Sequence, residues 1–216
     1  MGWAGGLVAW CVVASEIAYR LVLASASPAR RALLRGAGIE ADVLVSGVDE
    51  SVVVADDAAE LCAELARMKA EAVAPRVAAD AGVLVLGCDS VLAFDGEILG
   101  KPVDADEAVK RWRAMRGRDG VLHTGHHLID RAGGRFAAGV GKTVVRFADV
   151  SDAEIEAYVG TGEPLHVAGA FTIDGRGGAF VERIEGDSGN VIGLSLPLLR
   201  GLLGELGVSI TDLWSR

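Results

Sequence analysis

Basic residues are in short supply in this chain. Its 216 residues hold 21 Lys and Arg against 30 Asp and Glu, a formal net charge of −9. A surface of that sign has no overall attraction for a phosphate backbone, which argues against a nucleic-acid partner. A small phosphorylated ligand feels only the local field and stays open. Cysteine is scarce as well. Cys11, Cys62 and Cys88 are odd in number and form no CxxC pair. A disulfide framework or zinc knuckle is therefore disfavoured, and a reducing cytoplasm fits best. Long apolar runs are missing too. Leu7 to Ala14 falls far short of the roughly 20 residues that span a bilayer, and no Lys or Arg precedes it to make the basic start of a signal peptide. The reading is an N-terminal extension over 1–19, a single working domain over 20–216, and no membrane partner. Walker A, GxSxG and strand-following GxGxxG motifs are all absent, so P-loop, α/β-hydrolase and Rossmann dehydrogenase readings lack support. His123, His126 and His127 do not make a zinc site, because neighbours on a strand face opposite ways and no Cys or Glu completes the set.

What is present is ordinary globular composition, 51% hydrophobic and 24% charged. Arg20 to Ala24 reads as a short buried strand. Ser27-Pro28 then opens a helix, with Ser as N-cap and Pro at the first helical position, ending at Gly36 or Gly38. Strands are expected over Ala41–Val45, Val83–Phe94, His123–Asp130 and Lys142–Ala148. Helices are expected over Asp56–Val73, Asp104–Met115, Ser151–Tyr158 and Leu196–Leu206. Asp95-Gly96 is a two-residue hairpin turn. Sixteen of the 29 glycines lie between Gly117 and Gly193, which favours hairpins and tight loops there. Helices alternating with strands early, and strands clustering later, predict an α/β fold with a mixed sheet.

Several places could carry chemistry. Ser25-Ala-Ser27-Pro-Ala-Arg30-Arg31 puts hydroxyls, guanidiniums and free N–H groups at a helix N-terminus, a ready anion site; a capped surface helix would look the same. Asp89 interrupts an apolar strand, where an idle carboxylate is costly to bury; the alternative is a turn beginning at Gly87. Lys101 sits on the return strand of the hairpin. Regular pairing would set it opposite Ser90 and on the other face from Asp89, but Gly100 and Pro102 can break that regularity. Lys69 stands at the edge of a helical apolar stripe, where it can reach inward or snorkel to water. Asp49-Glu50 and Asp187 could hold a hard cation or simply be solvated.

Together these segments resemble the Maf family of nucleoside triphosphate pyrophosphatases from Leu21 to about Leu206. The residues that carry the resemblance are LVLASASPARRALL at 21–34, VDE at 48–50, MKAEAV at 68–73, GCDSVLAFDGEILGKP at 87–102, HTGHHLI at 123–129 and the long stretch from Gly162 to Leu199. The SxSxxR start, the Asp followed by a hydroxyl residue and the DGxxLGKP hairpin are jointly specific. The resemblance implies a mixed β-sheet with flanking helices and a central cleft, similar to inosine-triphosphate pyrophosphatases. It implies hydrolysis of a nucleoside triphosphate to monophosphate and pyrophosphate with Mg²⁺ or Mn²⁺, by a cytoplasmic homodimer with a house-cleaning role. Asp89 corresponds to the proton acceptor, Ser25, Ser27 and Arg30 to the phosphate-binding start, Lys69 and Lys101 to lysines facing the triphosphate, and Glu50, with Asp89, to the metal-side acids.

The departures bear on the base. Ala29 stands where the family often has the first Arg of SPRR, Ser90 where Thr is common, Asp174 where thymidine/uridine-type members have Gln, and Val167 where Lys is common. Ala29, Ser90 and Asp174 match positions that tune base choice, so selectivity for dTTP or UTP does not carry over, although Ser90 and Asp174 still count among the substrate-binding residues. The rival reading is a non-catalytic nucleotide-binding regulator of cell division on the same fold. The intact set Ser27, Arg30, Lys69, Asp89 and Lys101 argues against it, because a pure binder has no use for a buried base beside phosphates.

Overall fold

The computed structural model describes residues 18–215. The extension expected over 1–19 thus lies almost wholly outside the described residues. Tyr19, its last residue, packs against the core.

The elements run β1 (Arg20–Leu23), α1 (Pro28–Gly36), β2 (Asp42–Val43), α2 (Ala58–Val73), β3 (Val83–Phe94), β4 (Glu97–Leu99), α3 (Ala105–Met115), β5 (Asp119–Asp130), β6 (Arg135–Phe147), α4 (Asp152–Gly160), β7 (Val181–Glu185), α5 (Ser188–Ile192) and α6 (Leu196–Glu205). They form a seven-stranded mixed sheet in the order β2-β1-β3-β5-β6-β7, with β4 added to β3. The α/β expectation with flanking helices is met. The boundaries differ where a capping side chain was counted as helix: Asp57 and Asp104 are N-caps, their carboxylates accepting backbone N–H groups of the first turn. The strand expected over Ala41–Val45 shrinks to two residues, both exposed. β5 and β6 are longer than expected, because their pairing runs without a break from Asp119 opposite Arg146 to Asp130 opposite Arg135. β7 and α5 were not expected at all.

The sheet order creates the cleft. β5 occupies one edge of β3 from Leu84 to Ala93. β1 and β4 must therefore share the other edge, and they do so at its two ends. β1 pairs with Val83–Leu86 and β4 with Leu92–Phe94. Gly87 to Val91 are left with no strand beside them on that edge. The hydrophobic core divides at the same place. One cluster gathers Leu21, Leu23, Leu34, Leu84, Leu86, Leu128 and Leu203 around β1 and α6. The other gathers Leu92, Trp112, Met115, Leu122, Phe147 and Tyr158 around α3 and α4. Trp112 is its centre, fully buried, with its indole N–H donated to Ala170 O at 2.8 Å.

α2 lies unusually close on the sheet, and two glycines are the reason. A Cβ on Gly87 would stand 2.1 Å from Ala66 O, and one on Gly125 2.2 Å from Cys62 O. Gly125 pairs directly with Asp89. This contact therefore sets the height of α2 above the carboxylate. Gly125→Ala should push the helix away at a cost of about 3 kcal/mol or more, the upper end of overpacking penalties, measured by urea unfolding. Gly201→Ala in α6, where a Cβ meets nothing within 4 Å, should instead stabilise by about 0.5–1 kcal/mol.

Candidate active site

The first wall of the gap is the turn from β1 into α1. Ser27 caps α1, its Oγ accepting the N–H of Arg30, and Pro28 occupies the first helical position. The helix points Arg30 inward. Only 8% exposed, it spends three donors on the protein: Nε to Gly193 O at 2.7 Å, Nη1 to Ser25 Oγ at 3.1 Å and Nη2 to Ser90 Oγ at 3.0 Å. Gly193 has a φ of +124°, and a Cβ there would stand 3.1 Å from Arg30 Nε. The positive φ is what favours glycine there. Arg31, one residue on and about 100° round the helix, is exposed.

The floor is β3. Asp89 continues the strand, which settles the choice between strand and turn. Its side chain faces α2, and Ser90 faces the other way, towards Arg30. The apolar pattern of both faces of β3 is therefore broken at adjacent residues, beside the open edge. Lys69 reaches down from α2 with Nζ 2.5 Å from Asp89 Oδ1 and 2.7 Å from Glu50 Oε1. It is 8% exposed and Asp89 is 7% exposed, so Lys69 points inward and does not snorkel. Burial pushes the Asp89 carboxyl above the usual carboxylate range, and the charges of Lys69 and Arg30 hold back part of that rise. At Glu50 burial acts in the same upward direction, but the hydrogen bond and charge of Lys69, with Lys101 and Arg30, outweigh it and lower the pKa.

Lys101 lies past the end of β4 and is exposed. β4 pairs Glu97 with Phe94 as the turn requires, but it stops at Leu99, so the pairing of Lys101 with Ser90 does not form. Its charge still reaches Glu50. Asp174 is not in this cluster. It accepts a hydrogen bond from Thr172 and lines a groove of about 380 Å³ along α1 with Ala29, Ala32, Leu33, Ile192 and Leu196. Asp187 is the N-cap of α5, Asp49 accepts from Ser51, and His127 stacks on Phe136. His126 faces the opposite side, with Nε2 accepting the N–H of Ser195 at 2.9 Å; burial holds its pKa down to about 4.

Sequence reading missed Thr124, fully buried beside Ser90, and Asn190, buried with its carbonyl on the Thr124 hydroxyl. The available signal was a hydroxyl residue inside an apolar strand, HTGHHLI.

The sequence of the chain matches a known family. The family model described as Maf-like protein matches residues 20–206. The chain belongs to the Maf-like family. A nucleoside triphosphate pyrophosphatase of Salinispora tropica is 65% identical over 206 residues, covering 94% of this chain and 91% of that one. Proteins of the same name from Streptomyces coelicolor and Microcystis aeruginosa are 60% and 54% identical. They cover 91% and 90% of this chain, and 95% and 98% of their own.

The fit to a metal can be judged from the donors. Among the described residues no group of three or more His, Cys, Asp and Glu is placed to hold an ion. Two carboxylates, Glu50 and Asp89, do converge on one cationic point, the Lys69 ammonium. Two acidic oxygen donors, with the rest from water and phosphate, suit Mg²⁺ or Mn²⁺.

Lys69→Met should leave Asp89 buried without its partner. At neutral pH that costs about 3–5 kcal/mol. Losing the ammonium raises the Asp89 pKa further, so the variant recovers part of the deficit as falling pH protonates the carboxyl. Urea unfolding at pH 5 and pH 8 should show the smaller gap to wild type at pH 5.

Proposed function

We propose that the chain hydrolyses a nucleoside triphosphate to the monophosphate and pyrophosphate. The observation that carries this reading is a buried carboxylate at an open strand edge, with Arg30 and Lys69 beside it. Water supplies the nucleophile. Asp89 takes one of its protons as the oxygen bonds to the α-phosphorus, and the bond to the bridging oxygen breaks to release pyrophosphate. A carboxyl whose pKa lies above the ordinary range is a better proton acceptor than a solvated one. Ser25, Ser27 and Arg30 bind phosphate oxygens at the α1 N-terminus, where the helix dipole adds to the guanidinium. Ser90 orients Arg30 there. Lys69 and Lys101 meet charge gathering on the leaving group. Glu50 and Asp89 would hold Mg²⁺ or Mn²⁺, which neutralises triphosphate charge when bound.

The nucleobase extends into the groove along α1, with Asp174 as a hydrogen-bond acceptor and Ala29 leaving room. Residues 20–216 act as one domain, in a cytoplasmic homodimer that keeps the nucleotide pool clean. The family resemblance supports that assignment, and the free, buried thiols of Cys62 and Cys88 suit a reducing compartment. The regulator reading has no comparable support, since mere binding leaves the buried Asp89 unexplained.

Asp89→Asn should keep the fold and nucleotide affinity while turnover falls about 10²–10⁴-fold, read as pyrophosphate release from a nucleotide panel with and without Mg²⁺. Near-wild-type kcat in the Asn variant would remove Asp89 from the chemistry.

Arg30→Ala should raise KM and lower kcat together, a loss of roughly 10–150-fold in kcat/KM for a charge-assisted contact to phosphate. Arg31→Ala, on an exposed bearing of α1, should change little. Steady-state kinetics on the best nucleotide separate the two. Equal effects would mean that the phosphate-binding turn has been misread.

A further inference from the structure

Thr124 has no exposed surface, yet it ends a chain of polar contacts that starts at Arg30. Arg30 Nη2 donates to Ser90 Oγ at 3.0 Å, Ser90 Oγ lies 2.9 Å from Thr124 Oγ1, and Thr124 Oγ1 donates to Asn190 O at 2.9 Å. A hydroxyl carries one proton. The Asn190 carbonyl can only accept, and with the Thr124 proton on it the proton between the two hydroxyls comes from Ser90. All three bonds then run one way, from guanidinium to Ser90 to Thr124 to the α5 backbone. Ser90 is left facing Arg30 with lone pairs only.

The far end of the chain is fixed. Asn190 is 1% exposed, and its Nδ2 donates to Leu122 O and Thr143 Oγ1, each at 3.2 Å. Three residues further on, Gly193 O takes Arg30 Nε directly. One short segment thus holds the guanidinium twice, once directly and once through Thr124 and Ser90. Of the five guanidinium N–H groups, Gly193, Ser25 and Ser90 use three. Two remain for a ligand, one on each Nη, and their direction follows from the three that are tethered.

We propose that Thr124 is a positioning residue. It touches no substrate, and by taking the Ser90 proton it fixes Ser90 as an acceptor and so aims the two free Arg30 N–H groups at phosphate. The proposal rests on the reading of Arg30 as a phosphate ligand.

Thr124→Val keeps the volume and removes the hydroxyl. It also removes one of the two donors to Asn190 O, the other being the Gly193 N–H at 3.1 Å, so a lower Tm alone says nothing about positioning. The decisive measurement is a double-mutant cycle in kcat/KM with Ser90→Ala. Thr124→Val should lower kcat/KM about tenfold, the scale of one hydrogen bond to a charged group, with KM raised and kcat reduced. Thr124→Ser, which keeps the proton, should restore most of the loss. In the Ser90→Ala background Thr124→Val should cost no further activity while still lowering Tm. Undiminished kcat/KM in Thr124→Val, or the same loss in both backgrounds, overturns the proposal. If the valine variant does not fold, Thr124→Ala and Thr124→Cys carry the same cycle. Arg30→Ala in the same series keeps the two questions apart: an unimpaired Arg30→Ala defeats the phosphate reading itself, whereas an impaired one beside an unaffected Thr124→Val defeats only the positioning role.

Discussion

Five residues of β3, Gly87 to Val91, have a strand neighbour on one edge only, and the site follows from that. The direction of the unpaired groups can be worked out. Leu86 O accepts from Ala24 N on the β1 side, and Phe94 pairs with Glu97 across a two-residue turn on the same edge. Backbone groups alternate along a strand, so Cys88 and Ser90 also turn their peptide groups into the gap. Buried backbone donors need partners. A gap lined by such donors, a helix N-terminus and an arginine is suited to an anion before any side chain is considered for catalysis. It also lies beyond the carboxyl end of a parallel strand, β1, the usual place for a ligand in an α/β sheet.

The net charge of −9 therefore says little about the ligand, because the positive charge that matters is local. Arg30 and Lys69 are buried at the gap, and Lys101 stands at its rim. Burying an ion is expensive unless its partners are already in place. Here they are: three acceptors around Arg30 and two carboxylates around Lys69. Arg30, already ordered without ligand, has little left to reorganise during reaction, which is how electrostatic stabilisation becomes effective. The same burial that makes Asp89 a better base would destabilise it without Lys69, and Lys69 comes close enough only because Gly87 and Gly125 let α2 settle on the sheet.

Much of this was legible in the sequence because it is local. The Ser27-Pro28 cap, the Asp95-Gly96 turn, the Ser151–Glu154 capping box and the carboxylate in an apolar strand are each written within a few residues. What was not legible depends on register. Thr124 reads as one polar residue in an alternating strand, where a solvent face would look alike; only its pairing opposite Ser90 turns it inward. Lys69 reads as a snorkelling lysine until two glycines on other strands set the helix height. Hairpin counting pairs Lys101 with Ser90 only if the strand is regular, which Gly100 and Pro102 leave open, and β4 stops two residues early. β7 and the five-residue α5 were hidden by the glycine-rich composition around them, which suits loops as well as it suits short elements.

Under the proposed reading, the first turn of α1 sets the phosphate side and the base side apart. Successive residues of a helix point about 100° apart. Arg30 is thereby turned into the gap against Gly193, Ser25 and Ser90, and Ala29, its immediate neighbour, onto the groove that Asp174 lines. Under the proposed reading, phosphate and base are met by adjacent residues of one helix that do not share a face. Substitution at position 29 alters the groove without disturbing the three bonds that hold Arg30. Ser90 has no such freedom: its hydroxyl is an acceptor for Arg30 and a donor to Thr124 at once, and an exchange there acts on the phosphate side whatever it does for the base.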